Sequence, residues 1–434
     1  MEKFRPFQIG LLAGFALLGL VSLIVLASFR GFSINIANPY GDRVEIWGTL
    51  DETVILQTIR SIADGEDDFS SVDYIQKDPR SFEDELVNAI AENRSPDAIV
   101  LMHEDLVTYR PKLQPIPYES FSERMIKDNY IDGAEVFALS DGLYAIPFAV
   151  DPLVMYWNRD IFSAGGQALP PATWESLTDI TQQLTLRDAT RNILQSTVAF
   201  GEFTNVINAK QSLLMLLLQS GSRMIEETDR GYVVMVDEVR GESALRPLNA
   251  ALQFYVEFSN ANSPLYSWNR SQPDDLTAFL AEELALYFGF GSEVLRISER
   301  NPNFNFDSAA VPQGAGATVK RTYGQFYGLA LLQSSPNPQG TYRALLRLTQ
   351  PDVTAAVSER LGLAPTERNT IAAGAPNAHR QTVLNQALIS YGWLDPDKEE
   401  SSITFETMVN DVVSNRLNVS NAASDAVRRL ELSF

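Results

Sequence analysis

Residues 44–102 read VEIWGTLDETVILQTIRSIADGEDDFSSVDYIQKDPRSFEDELVNAIAENRSPDAIVLM, and the alternation of patterns along them decides the fold class. Val44–Gly48 is a short apolar run of β-branched and aromatic residues, the pattern of a buried strand. Asp51 can cap a helix reaching about Ala63, with Val54, Ile55, Ile59 and Ile62 at helical spacing. Ser71 to Gln76 predicts a second strand. Ser81-Phe82-Glu83-Asp84 has the S-x-x-D form of a capping box, and Phe82, Leu86 and Ile90 then recur at helical spacing. Ala98–Met102, behind the Ser95-Pro96-Asp97 turn, is uniformly apolar, as a central strand of a parallel sheet must be. Strand, helix, strand, helix, strand is one half of a doubly wound α/β domain. Such sheets bind ligands beyond the carboxyl ends of their strands, and those ends are Thr49–Asp51, Lys77–Ser81 and His103–Asp105.

Upstream lies an uninterrupted apolar run, Ile9 to Phe29. Twenty-one residues give roughly 31 Å of helix, enough to cross a bilayer core. Lys3 and Arg5 precede it, so the positive-inside tendency places residues 1–8 in the cytoplasm and exports the rest. The alternative is a cleaved secretory signal with Val25-Leu26-Ala27 at its end, but the run exceeds the usual apolar length of such signals. Both readings export the body of the chain. A transmembrane signal anchor over 9–29 and a linker over 30–40 are expected. The 434 residues contain no cysteine, which removes disulfides and a cysteine-linked lipid anchor alike.

Composition narrows the chemistry. A net charge of −21, from 55 acidic and 34 basic side chains, argues against a nucleic-acid partner and against lying flat on anionic lipid. The two histidines, His103 and His379, show no zinc spacing. No G-x-S-x-G elbow is present; the nearest string is Gly289-Phe290-Gly291-Ser292-Glu293. Gly314-Ala315-Gly316-Ala317 fits neither a phosphate loop nor a dinucleotide fingerprint. Paired carboxylates for glycoside hydrolysis are always available among so many acids, and nothing singles out a pair. The expectation is no catalytic residue, no metal and no cofactor.

Further along, Pro170-Pro171-Ala172-Thr173-Trp174 leads into a helix with Trp174, Leu177, Ile180 and Leu184 on one face. Ser212 to Leu218 is too short to span a membrane and predicts a buried helix. Asp275 to Phe290 predicts a helix and then a strand from Ala285. The last hundred residues look mainly helical, broken by the polar segment Asp395–Ser402. Two acidic clusters, Asp64 with Glu66 to Asp68, and Asp395 with Asp397, Glu399 and Glu400, lack calcium-loop spacing and read as solvated faces.

One stretch is specific enough to name a family. Tyr144-Ala145-Ile146-Pro147-Phe148-Ala149-Val150-Asp151 runs into Leu153 to Phe162 (LVMYWNRDIF) and then Pro170 to Glu175 (PPATWE). This resembles the lobe crossover of family 1 extracellular solute-binding proteins of ABC importers, the maltose-binding-protein-like group. Weaker landmarks follow in order: Ser95 to Val100, Leu218 to Ser222, Phe279 to Leu286, Val311 to Gly314, Tyr323-Gly324 and Leu361 to Thr366. The resemblance implies a two-lobed periplasmic-binding-protein-like α/β fold with discontinuous lobes. The chain would cross between them near Asp151, Asn305 and Gln350, giving 41–150 with 306–349 as N-terminal lobe and 151–305 with 350–434 as C-terminal lobe.

The same resemblance implies an anchored, monomeric, non-enzymatic receptor that binds a small polar solute, a saccharide in the first instance. Hinge closure would then deliver the solute to an ABC permease. Carried over residue by residue, it suggests ligand contact at Trp47, Thr49, Asp51, Ser81, Phe82, His103, Glu104, Asp151, Phe203, Phe290 and Ser292. Several have plainer readings: Trp47 as core, Ser81 and Phe82 as cap and first core residue, Asp151 as a hinge-capping carboxylate. Where sugar-binding members often carry G-[SP]-W, this chain has Gly291-Ser292. Where they place another aromatic near the start of a late helix, the match falls around Phe405-Glu406. The alternatives are a degenerate binding-protein fold serving as an envelope scaffold or sensor subunit, and an anchored glycoside hydrolase.

Overall fold

The computed structural model describes residues 43–63, 69–229, 231–238 and 246–434. The expected cytoplasmic tail, transmembrane run and linker, and the cluster from Asp64 to Asp68, lie outside these residues. Among the described residues no helix is long and apolar enough to cross a membrane.

The first αβ units form as the sequence predicts. Strand β1 (Val44–Gly48) pairs in parallel with β2 (Val72–Gln76) on one side and β3 (Ala98–Met102) on the other. Helix α1 (Glu52–Ile62) is capped by Asp51, whose carboxylate accepts from Val54 N at 2.8 Å. Helix α2 (Phe82–Ala91) departs from the expected capping box, since Ser81 makes no side-chain cap bond. Its hydroxyl instead donates to Glu85 Oε1 at 2.6 Å, and Lys77 Nζ holds the same carboxylate at 2.9 Å. Ser81 has helical backbone angles (φ −109°, ψ −2°) instead of the extended ones that aim an N-cap oxygen at the backbone N–H groups, and its hydroxyl proton goes to the charged acceptor.

The long strand β4 (Ile146–Asn158) is buried along its whole length and joins two sheets. Downstream come helix α3 (Trp174–Leu184), strand β5 (Ile193–Val198), helix α4 (Ala209–Gln219) and strands β6 (Leu284–Phe290), β7 (Phe306–Ala309) and β8 (Thr322–Leu331). The strand order is β2-β1-β3-β8-β4-β6-β5, with Leu186–Arg187 at the far edge. The first half of β4 pairs antiparallel with β8, which in turn pairs with β3. From Leu153 onward β4 pairs with β6, and from Met155 with β7. Each half therefore belongs to a different lobe, and the partner changes around Asp151 and Pro152. Strand β7 sits on the second-half sheet, whereas helix Pro351–Leu361 packs on α1 of the first. The sequence reading assigns both the other way.

In α4 every residue except Gln211 and Gln219 is buried, as its apolar run predicts. Helix α5 (Lys398–Val413) corrects the reading of Asp395–Ser402 as a polar break. Asp397 accepts from the backbone N–H groups of Glu399 and Glu400, at 3.0 and 2.9 Å, so the segment initiates a helix. Its acids favour that end because the helix dipole is positive there. Asp395 is not solvated either. It is 0 % exposed and its Oδ2 accepts from Lys210 Nζ of α4 at 2.6 Å.

Candidate functional site

The first-lobe strand ends at Thr49–Leu50, Pro79–Arg80, Met102 and Asp105 open onto a cavity of about 540 Å³. Phe82 of α2, Tyr109 and Tyr327 of β8 add aromatic surface; Asp397, Lys398 and Glu399 at the start of α5 form the opposite wall. That helix packs against Val419–Leu432 and α4, so the cavity lies between the lobes. Its volume is in the range of small-molecule sites.

Charged groups bridge it. Lys398 Nζ donates to Asp105 Oδ1 at 2.9 Å, with the lysine side chain half exposed. Burial would lower the Lys398 ammonium, but Asp105, Glu104 and Asp395 outweigh it and hold it above its ordinary value. Burial pushes the Asp105 carboxyl up while Lys398 pulls it down. Behind this wall, burial likewise raises Asp395 against the pull of Lys210, whose ammonium also donates to Ser401 Oγ at 2.6 Å.

Of the eleven expected contact residues, Thr49 and Phe82 line the cavity. The others sit elsewhere. Asp51 caps α1, and Ser81 binds Glu85. Trp47 is 8 % exposed, its indole N–H donating to Glu45 at 2.7 Å and its ring covered by Lys77 Nζ at 3.7 Å. His103 is buried; its Nδ1 accepts from Phe326 N at 3.1 Å, and burial pushes its pKa down to about 3. Glu104 is buried beside it and accepts the Tyr323 hydroxyl. Phe290 packs at 6.4 Å from the Tyr323 ring, and Phe203 lies half-buried against the core.

Asp151 and Ser292 meet each other. The Asp151 carboxylate accepts from Ser292 N at 3.1 Å and Ser292 Oγ at 2.5 Å. Desolvation pushes Asp151 up to about 7, against those hydrogen bonds. The neighbouring Gly291 is tightly enclosed, since a Cβ there would come within 2.8 Å of Val383 and 3.3 Å of Asp151. Its carbonyl accepts from the Tyr156 hydroxyl at 3.0 Å. The Gly291-Ser292 segment thus braces the crossover instead of presenting a ring to the cavity.

Sequence reasoning missed Tyr109, Tyr327, Lys398 and Glu399. Asp105 and Arg80 lay within the strand-end segments it marked, so position could have found them. Among the described residues no group of three or more His, Asp or Glu is placed to hold a metal ion.

Comparison with known proteins agrees with this architecture. Residues 66–379 match the model of a family described as bacterial extracellular solute-binding protein. Binding proteins of Brucella abortus (strain 2308) and Brucella suis biovar 1 (strain 1330) are 22 % identical over 254 residues. The alignment spans 58 % of this chain and 58 % of each relative's length. A cyclo/maltodextrin-binding protein complexed with maltotetraose superposes with a TM-score of 0.70 at 16 % identity, covering 90 % of this chain and 96 % of the other. The sugar-binding protein MalE from Xanthomonas citri gives 0.70 at 18 % identity, with 90 % and 97 % covered. The GacH receptor of Streptomyces glaucescens gives 0.66 at 15 %, with 90 % and 98 % covered. At such identities these neighbours establish the fold: a two-lobed, periplasmic-binding-protein-like α/β architecture.

Proposed function

This chain belongs to the bacterial extracellular solute-binding protein family, a non-enzymatic group, and from that premise we propose that its interlobe cavity receives a small polar solute, a saccharide in the first instance. The observation that carries the reading is the cavity itself, which combines polar groups such as Thr49, Thr108 and Asp105 with the aromatic surfaces of Phe82, Tyr109 and Tyr327. Hydroxylated solutes need both: hydrogen bonds to orient them and aromatic faces for their apolar C–H surface. Structural neighbours carry maltotetraose, tagatose and mannotriose, which supports the saccharide class.

Family membership makes the globular region extracytoplasmic. We further propose that the lobes close about the Asp151 region and that the closed, monomeric receptor hands its solute to an ABC permease. The 9–29 run would hold the protein at the membrane. A second reading, a scaffold or sensor subunit of the envelope, draws on the Lys398–Asp105 bridge that already spans the cleft. Thermal melting of the purified full chain against saccharides, polyols, amino acids and peptides separates them. Ligand binding raises stability by RT ln(1 + [L]/Kd), about 2.7 kcal/mol at a hundredfold excess over Kd. A shift with a saccharide supports the receptor. Flat melts across the whole panel would sink it and favour the scaffold.

A further inference from the structure

The side chain of Lys398 occupies an unusual place for a lysine. It rises from the first turn of α5, the end of a helix where the dipole disfavours cations, and reaches across to Asp105 on the other lobe. Its surroundings are acidic. Among the described residues, Glu83, Asp105, Asp397 and Glu399 line the cavity with Arg80 and Lys398 itself, and Lys112 stands against the lining ring of Tyr109. Arg80 also lines a neighbouring groove with Gln76 and Lys77. Behind the wall lie Glu104 and Asp395, close enough to raise the Lys398 ammonium. Asp395 Oδ2 is committed to Lys210, while its buried Oδ1 has no hydrogen-bond partner in ordinary geometry among the described residues. The carboxylates are not arranged for a metal.

A seat that is acidic, walled by aromatic rings and filled by a tethered primary ammonium has the chemistry of a receptor for an ammonium. We infer that the cavity is built for a solute carrying a protonated amino group on a hydroxylated skeleton, which takes from Lys398 its place on Asp105. The inference rests on the solute-receptor reading above and names the class of solute. Displacing Lys398 is eased because its own side chain is half exposed, so its ammonium returns to water, and the flexible four-carbon stem is released. The incoming ammonium regains the Asp105 contact in a cavity also lined by Tyr109 and Tyr327, and an aromatic ring stabilises a desolvated cation through its quadrupole. Lys112 already holds its ammonium 5.2 Å from the centre of the Tyr109 ring. The chain's net charge of −21 adds long-range attraction for a cationic solute.

Calorimetric titration of the purified full chain with matched pairs tests this: glucosamine against glucose, the fully deacetylated chitosan dimer against cellobiose, and 1,4-diaminobutane alone. The expected result is tighter binding of the amine in at least one pair, by about tenfold or more. Asp105→Asn should erase that preference, and Lys398→Met, which removes the tethered competitor, should tighten amine binding several-fold. If Lys398 were instead a clasp or a direct ligand contact, Lys398→Met would weaken binding, and that result overturns the inference. Equal binding of amine and neutral partner ends it too, while leaving the receptor reading standing. Absence of heat with every one of these solutes ends the inference, and ends the receptor reading as well when the melts across the wider panel are flat. Lys398→Met changes a half-exposed side chain, so it reports even if Asp105→Asn fails to fold.

Discussion

At the scale of single residues, Asp151 shows how the crossover spends its polarity. It lies where β4 changes partners, is 3 % exposed, and binds Ser292 through both carboxylate oxygens. Its folded pKa, about 7, stands above the ordinary aspartate value of 3.8 because burial disfavours the charge. Between those two values the folded state holds a proton that the unfolded state has released. Stability from this group therefore rises as pH falls from about 7 toward 4, and is lost as pH rises through the folded value. Asp275 and Glu367, also raised to about 7 by burial, act in the same direction. His103, depressed to about 3, opposes them, losing stability as pH falls below its unfolded value. Urea unfolding of wild type and Asp151→Asn at pH 8, 6.5 and 5 isolates the one group. Wild type should gain on the order of 1–3 kcal/mol relative to the variant on going from pH 8 to 5. A pH-independent difference would mean that Asp151 is charged in both states.

At the scale of elements, α3 is the best-determined piece of the crossover motif. Thr173 Oγ1 accepts from Ser176 N, and Ser176 Oγ accepts from Thr173 N in return, at 3.2 and 3.1 Å. Trp174 packs on Phe200, Phe254 and Phe288 and donates to Gln219 Oε1 at 2.6 Å. Thr173→Ala should cost about 1 kcal/mol in denaturant unfolding and leave solute affinity unchanged, because the cap is remote from the cavity lining. Elements of this kind were legible because their signals are local: Asp51 caps α1, the Trp174-Leu177-Ile180-Leu184 face is buried, and Ala98–Met102 is a central strand. Much of the cavity was not legible. Lys398 lay in a segment read as a polar break and Glu399 in an acidic cluster read as a solvated face, and only the docking of α5 against α4 and Val419–Leu432 places both on the cavity wall, with Lys398 on Asp105. Gly291-Ser292 aligned with a ligand position, yet enclosure by Val383 and Asp151 makes it structural. A charge run carries no local mark that distinguishes a wall of a cleft from open solvent.

At the scale of the whole molecule, Arg110 is a second tie between the lobes. From the first lobe its guanidinium reaches Asp141 at 3.0 Å and the Tyr144 hydroxyl at 3.1 Å. The same group meets Glu227 at 2.9 Å and the Tyr232 hydroxyl at 2.7 Å, on the hairpin of Ile225–Thr228 and Gly231–Val234. Ser140 N donates to the other Glu227 oxygen at 2.9 Å. If the lobes move as proposed, Arg110→Ala should enlarge the radius of gyration of the free protein in small-angle scattering. It should also weaken solute binding by about threefold to tenfold, or ~1 kcal/mol. An unchanged scattering curve would show that the hairpin contact rides along without biasing closure. The shared strand β4 sets a different limit. Its backbone is the template for hydrogen bonding in both sheets, so neither lobe can melt without stripping an edge from the other. Two bodies that share a central strand share a fate: heat should take them down in one calorimetric transition, and damage to either lobe lowers the melting point of both.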